Sequence, residues 1–320
     1  MNFNQVIIWG HKLHSHTHSY IHYGFYKAFK NLKYKVIWLD NKDDISGIDF
    51  KNSLFISEHQ VDQNIPIRDD CKYILHNSFV DGGKAYYKKN AGTWSDKRYI
   101  HLAEKGNVIN LQVYRPSFVK NKTKMDDYIY YDLKTTSLYM PWATDLLPFE
   151  IEENKKKIKD IQKEKVIYYI GTPEIDGLKR FAKTCKDNGI EFKTYGGFKN
   201  NVTSKKHVEL IQKSYIAPAI QRKQQTNTGY IPCRIFKNIS YGQPGITNSK
   251  VVYELFDKKI IYHPDVDKLF YIARDYLEND FDIQSLYDQM DFVKEKHTYL
   301  NRIKCLFDFF DIIKKEKMKL

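Results

Sequence analysis

Two stretches of the sequence concentrate residues able to do chemistry. The first is residues 226–249, TNTGYIPCRIFKNISYGQPGITNS. Pro232 suits the first turn of a helix, where its missing N–H costs nothing, and Gly242 suits the stop. Between them Arg234 and Lys237 stand three residues apart, which puts both cations on one helical face. A helix start carries unsatisfied N–H groups and a partial positive charge, so it attracts phosphate. Arg adds a forked donor and Lys a point charge. The polar loop ahead of it, residues 224–230, carries Gly229 and can order over a bound anion. The competing reading is a surface helix with two solvated cations.

The second stretch is His11-Lys12-Leu13-His14-Ser15-His16-Thr17-His18-Ser19-Tyr20, with His22 just beyond; it holds five of the chain's 11 histidines. If extended, His14, His16 and His18 alternate onto one face, and three imidazoles can bind zinc. No Asp, Glu or Cys lies among them, however, and such sites draw further ligands from distant strands, so no metal is expected. A histidine titrating near neutrality can instead act as general base on a hydroxyl. His16 and His18 are the candidates, with His16 slightly favoured. In the structural alternative, Ser15, Thr17 or Ser19 caps the following helix. Further titratable residues end later strands: Asp40, Glu58 with His59, and His76 with Asn77. Glu58 joins the two histidines as a candidate catalytic residue. Trp94 and Tyr86-Tyr87-Lys88-Lys89 read as a surface loop in preference to a sugar-stacking edge.

These residues need strands and helices to position them, and the pattern supplies an alternation of both. Residues 6–9, Val36–Leu39, 53–57 and 73–75 are short β-branched and aromatic runs, and 128–131 is a later candidate. Ile21, Phe25, Ala28, Phe29 and Leu32 recur at helical spacing. Strand, helix and strand with short links predict a parallel sheet with crossover helices. The charged stretch 150–165 reads as a linker or solvent-exposed helix, after which the pattern restarts. Val166–Ile170 is a strand ending at Gly171-Thr172. A helix follows, with Ile175, Leu178, Phe181, Ala182 and Cys185 on one face and Gly189 as its stop. Glu191–Tyr195 is a strand ending at Gly196-Gly197, residues 204–213 are a helix, and 215–220 are a strand with Pro218 near its end or on an edge. Residues 286–320 read as an amphipathic helical stretch able to lie back on the first unit. The fold class is therefore α/β, with two units in tandem. Ligands of open α/β sheets bind outside the carboxyl ends of strands, so the Gly171, Gly196 and Arg234 segments converge on one crevice.

Composition bounds the function. The chain has 320 residues, 42% apolar and 28% charged, which is globular. No apolar run of about 18 residues is present, so no spanning helix is expected. The sequence MNFNQVIIWG lacks the features of a signal peptide. Cys71, Cys185, Cys233 and Cys305 form no CxxC pair. A reducing, cytoplasmic setting is the expectation. The net charge of +13 rests largely on scattered Lys. It fits general solvation best and is compatible with peripheral contact to anionic lipid. Nucleic acid is not the expected partner, because no helix-turn-helix, RNP-like or zinc pattern accompanies the charge. A nucleic-acid-binding protein and a metal-dependent hydrolase built on the His-rich loop remain the alternative functions.

The segment Tyr230-Ile231-Pro232-Cys233-Arg234-Ile235-Phe236-Lys237-Asn238-Ile239-Ser240-Tyr241-Gly242 resembles the donor-side helix of GT-B glycosyltransferases. Tyr139-Met140-Pro141-Trp142-Ala143-Thr144-Asp145 resembles their interdomain crossing. His297-Thr298-Tyr299-Leu300-Asn301-Arg302 resembles the closing helix of members with a "glycosyl transferases group 1"-like C-terminal domain. The resemblance implies two Rossmann-like domains facing across a cleft: an acceptor domain over 1–148, a nucleotide-sugar domain over 149–292, and a helix over 293–320 returning to the first. It implies transfer of a sugar from a nucleoside-diphosphate sugar to a hydroxyl of a glycan or glycoconjugate, with no cofactor and no bound metal. Arg234 and Lys237 would neutralise the leaving diphosphate. Gly171 and Thr172 would pass close to the phosphates or base, Tyr195 and Gly196 would sit by the nucleoside, and Tyr230 would complete the donor site. The chain departs from retaining members in lacking their pair of glutamates. Glu254 is the nearest candidate, so the stereochemistry stays open.

Overall fold

The computed structural model describes residues 2–12, 17–58, 64–76, 79–81, 84–86, 97–114, 122–171, 176–196 and 202–319. The chain divides into two compact units, one of residues 1–13, 21–141 and 299–320, the other of residues 14–20 and 142–298.

The first unit runs β1 (Gln5–Trp9), α1 (Thr17–Asn31, of which residues 17–20 belong to the second unit), β2 (Val36–Leu39), β3 (Ser53–Glu58), β4 (Lys72–His76), the hairpin β5 (Phe79–Asp81) and β6 (Lys84–Tyr86), α2 (Lys97–Glu104), β7 (Val108–Gln112), β8 (Thr123–Asp126), β9 (Ile129–Asp132) and β10 (Ser137–Tyr139). Eight strands form one sheet in the order β2-β1-β3-β4-β7-β10-β9-β8. The first six are parallel, and β9 and β8 complete the edge antiparallel. β1 and β3 are buried along their whole length, as a parallel sheet covered on both faces requires. The strand order reverses between β1 and β3, so their carboxyl ends flank the crevice where such sheets bind ligands.

The second unit runs α3 (Pro148–Lys157), β11 (Val166–Ile170), α4 (Asp176–Asp187), β12 (Glu191–Tyr195), α5 (Ser204–Lys213), α6 (Lys223–Asn227), α7 (Cys233–Ser240), β13 (Ile246–Thr247), α8 (Lys250–Leu255), β14 (Ile261–Tyr262), α9 (Val266–Asp275) and α10 (Ile283–Lys296). β12 pairs with β11, and β13 with β14, all parallel. Residues 215–220 run between the two pairs, through Tyr215 N–H to Val166 O and Ala219 N–H to Ile246 O. Sequence patterning predicts a full strand there, and the chain forms an extended segment with a single bridge, Ala219 to Thr247. The reason is local. Pro218 has no N–H to donate, and side chains take over the flanking carbonyls: Asn238 Nδ2 donates to Ala217 O at 2.7 Å and Ser214 Oγ to Ile216 O at 2.6 Å. The order reverses between β11 and this segment, repeating the arrangement of the first unit.

Two other expectations are corrected. Residues 150–165 take the helical alternative in part, as the largely solvent-accessible α3, and only the linker alternative is overturned there: α3 buries Ile151 and the 3₁₀ turn after it buries Ile158. The helical stretch 286–320 breaks at His297–Thr298, where the His297 ring stacks on Phe236 with centroids 4.4 Å apart. α10 belongs to the second unit, and α11 (Tyr299–Lys317) packs in the first. There a Cβ at Gly24 would lie 2.3 Å from the Tyr299 ring, so α1 needs glycine where α11 crosses it. Buried Arg302 donates from Nε to Pro141 O at 2.7 Å and anchors the helix.

Candidate functional site

Arg234 sits in the first turn of α7, immediately beyond Pro232, which caps the helix in an extended conformation. Its guanidinium carbon lies over the Tyr169 ring, 4.2 Å from the centroid. Nε and Nη2 both donate to Ile170 O, the last carbonyl of β11, at 3.3 and 3.1 Å. The fork is thus pinned at a strand's carboxyl end, with the remaining N–H groups without a protein partner among the described residues. Gly171 makes room for it: φ is +150°, and a Cβ there would stand 2.1 Å from Arg234 Nη2. Gly171 N–H donates to Tyr195 O at 2.7 Å, which ties the end of β11 to the end of β12. Gly196 has φ +91°, and its Cβ would meet Gly171 N at 3.2 Å. Glycine is needed at both positions for backbone conformation as well as space.

Lys237, one turn further along α7, is only 4% exposed. Its ammonium lies 4.1 Å from the Tyr20 ring centroid, 3.3 Å from His207 Nδ1 and 3.9 Å from Asp145 Oδ1. Asp145 also accepts from Tyr241 Oη at 2.5 Å. Burial first, and then the Lys237 and Arg234 charges, hold the His207 pKa well below the ordinary value, so the ring is neutral. Burial and Asp145 push the Tyr20 hydroxyl up to about 12, leaving it a donor to Val202 O. Half-buried Arg234 and buried Lys237 and Asp145 sum to a formal charge of +1, which suits an anion.

A cavity of 740 Å³ opens at the carboxyl ends of 215–220, β13 and β14, lined by Gly177, Gln221, Arg222, Asn248 and Val266 among others. Gln221 shapes its wall: its side chain donates to Tyr230 O, and its backbone exchanges hydrogen bonds with the Asn248 amide. Arg222 acts together with Arg234 on the buried Tyr169 hydroxyl. The volume falls in the usual range of small-molecule sites.

The first unit, taken by itself, carries titratable groups at the carboxyl ends of its own parallel strands. His11 Nε2 is 3.1 Å from Glu58 Oε2, across the β1/β3 crevice. Both Gly10 and His11 have positive φ, +87° and +57°. Gly10 O accepts from His22 Nδ1 and Trp38 Nε1, each at 2.8 Å, which fixes the turn that presents His11. His22 Nε2 in turn lies 2.6 Å from His76 Nε2, both rings fully buried. Since Gly10 O only accepts, the His22 proton is on Nδ1. One further proton, carried by His76 when both rings are neutral, bridges the pair.

Among the residues expected from sequence, the fold brings Gly171, Tyr195, Gly196 and Arg234 together at adjoining strand ends, with Lys237 behind Arg234 on α7. Tyr230 is half-buried before α7, its carbonyl held by Gln221. Glu58 ends β3 in contact with His11. His18 is half-buried and helical, in the first turn of α1. His14, His16, His59, Asn77, Trp94, Thr172 and residues 87–89 lie outside the described residues. Three participants were missed from sequence. His207 stands out only as a polar residue on the buried stripe of α5 with Leu210 and Ile211. Asp145 gave no sign of its partner. His11 was read as part of the loop and not as the partner of Glu58, 47 residues away.

No protein-family model and no curated protein matches the sequence. Among solved structures, the chain is similar to an alpha-glucosyltransferase (AGT) in complex with UDP, with a TM-score of 0.55 and 11% identity over 97% of this chain and 99% of that one. It also matches an alpha1,3-fucosyltransferase at TM-score 0.42 and 12% identity, over 97% of this chain and 89% of that one. The chain has a GT-B fold. At this identity the likeness is one of architecture. No described helix is long and apolar enough to cross a membrane.

Proposed function

We propose that this protein is a glycosyltransferase that moves a sugar from a nucleoside-diphosphate sugar to an acceptor hydroxyl. The observation that carries the reading is Arg234, pinned by Ile170 O at the carboxyl end of β11 with donors to spare, in a cluster with one net positive charge. The likeness in fold to a glucosyltransferase solved with UDP supports it. In this mechanism the diphosphate departs against Arg234 and the first turn of α7, with Lys237 adding its charge. Fixed cations aimed at charge that develops as the bond breaks lower the barrier without reorganising. Gly171, Thr172, Tyr195 and Gly196 let the donor approach the backbone closely, and Tyr230 borders it. The 740 Å³ cavity beside Gln221 and Arg222 offers room for the nucleoside.

The same reading assigns proton removal from the acceptor hydroxyl to Glu58, with His11 as its partner, or to His16 or His18 of the histidine-rich stretch, if the reaction inverts configuration. The charge neutralisation is assigned to side chains, with no bound metal and no cofactor. A glycan or glycoconjugate is the acceptor class, and the cytoplasm the compartment.

The test is calorimetry and thermal shift with UDP, GDP, dTDP and their sugars. Binding of at least one nucleoside diphosphate is expected, followed by slow donor hydrolysis or transfer when the sugar is present. Absence of heat and of any shift across the panel removes the proposal.

A further inference from the structure

We propose that His207 is a further donor-binding residue, a neutral imidazole whose Nε2–H binds a phosphoryl oxygen of the nucleoside diphosphate. The assignment rests on the functional reading above and deepens it. Lys237 Nζ lies 3.3 Å from His207 Nδ1. An ammonium has donors and no acceptor, so Nδ1 accepts and the proton of the neutral ring is on Nε2. Among the described residues nothing accepts from Nε2, although His207 is only 5% exposed. Tyr20 and Tyr241 flank the ring edge-on, each with centroids 5.4 Å away. The residual exposure of the ring leaves Nε2–H open to a ligand, and beside a formal charge of +1 the ligand that accepts from it is anionic. Desolvation and the Lys237 and Arg234 charges keep the ring from taking a second proton. Lys237 thereby acts on the ligand by fixing a tautomer as well as by its charge.

Two substitutions separate the halves of this arrangement. His207→Asn keeps an acceptor where Nδ1 stands and removes the Nε2 donor; His207→Gln puts an amide N–H where Nε2 stands. The readout is calorimetric affinity for whichever of UDP, GDP and dTDP the wild type binds best. His207→Asn is expected to weaken it at least tenfold, and His207→Gln to stay within about threefold of wild type. Nitrogen-detected NMR of the unmodified protein gives a check that needs no variant: the His207 signals should report the Nε2–H tautomer and move on addition of the same nucleoside diphosphate. Equal affinity of His207→Asn and wild type, equal loss in both variants, or an Nδ1–H tautomer overturns the assignment and leaves the functional reading standing. A wild-type protein that binds no nucleoside diphosphate removes both.

Discussion

Gly171→Ala is expected to abolish most nucleoside-diphosphate binding without altering any charged or hydrogen-bonding side chain. The added Cβ would stand 2.1 Å from Arg234 Nη2, whereas nonbonded heavy atoms settle at about 3.5 Å. The guanidinium must therefore retreat by more than about 1 Å, which breaks its 3.1 and 3.3 Å bonds to Ile170 O. A hydrogen bond to a charged group contributes about 1.5–3 kcal/mol, so losing the aligned fork should weaken binding by roughly 10- to 150-fold. The φ of +150° adds a backbone cost of about 1–3 kcal/mol, small enough for the second unit to stay folded. Calorimetry would be run on wild type, Gly171→Ala, Arg234→Ala and the double variant, with urea titrations to confirm folding. Because the glycine acts through the arginine, the double variant should bind no worse than Arg234→Ala alone. Additive losses would refute the route through Arg234 and leave the close approach of the donor to the Gly171 backbone as the reason for glycine, and unchanged binding in Gly171→Ala would refute both.

Other consequences follow from the buried groups. Lys237→Met leaves Asp145 buried without its cation and should cost about 3–5 kcal/mol in urea unfolding, while adding Asp145→Asn should recover part of that loss. His207 has a depressed pKa in the folded protein, so below the ordinary value near 6.5 the unfolded chain binds a proton that the native ring refuses. Its contribution to stability is complete above that pH and falls by up to about 1.4 kcal/mol per unit below it; the stability difference between pH 7.5 and 5.5 should shrink in His207→Asn. Glu58→Gln should lower kcat by about 10²- to 10⁴-fold with calorimetric affinity for the diphosphate unchanged, and a parallel loss of affinity would argue against Glu58 as base. Burial brings the Arg302 pKa down to about 10, and Arg302→Ala removes the tie to Pro141 O. Trypsin should then cut near the start of α11 faster than in wild type.

The strands that the sequence pattern locates best are short β-branched and aromatic runs, whatever their depth of burial. Val36–Leu39, Val166–Ile170 and Glu191–Tyr195 form over the residues expected, and so does the helix Ser204–Lys213. Stop signals read from chemistry also hold: Gly189 and Gly242 have φ of +72° and +100° just past α4 and α7. What sequence could not supply is pairing across distance. The backbone of 215–220 is satisfied by Ser214 and Asn238 side chains, which no strand pattern encodes. The break between α10 and α11 depends on His297 stacking against Phe236, 61 positions away in the chain. For the site, the spacing of Arg234 and Lys237 places both on α7, but their different fates are decided by Ile170 O on one side and by Asp145 and His207 on the other.

That difference explains why a lysine and an arginine three residues apart are not interchangeable here. Arg234 lies where a carbonyl and an aromatic face can hold a planar fork while leaving some of its donors unused, and a lysine there would satisfy itself on Ile170 O alone. Lys237 lies where only a compact ammonium fits, between the rings of Tyr20 and Tyr241, and a buried cation at that place requires Asp145. Asp145 cancels one of the two charges, so the cluster keeps enough positive potential to draw an anion, and that potential joins burial in keeping His207 unprotonated. A cluster with both charges uncompensated would bind product diphosphate more tightly and release it more slowly. With neither, it would have no means of stabilising the leaving group. On the proposed reading, a single net charge would serve both to hold a diphosphate through bond breaking and to let it go.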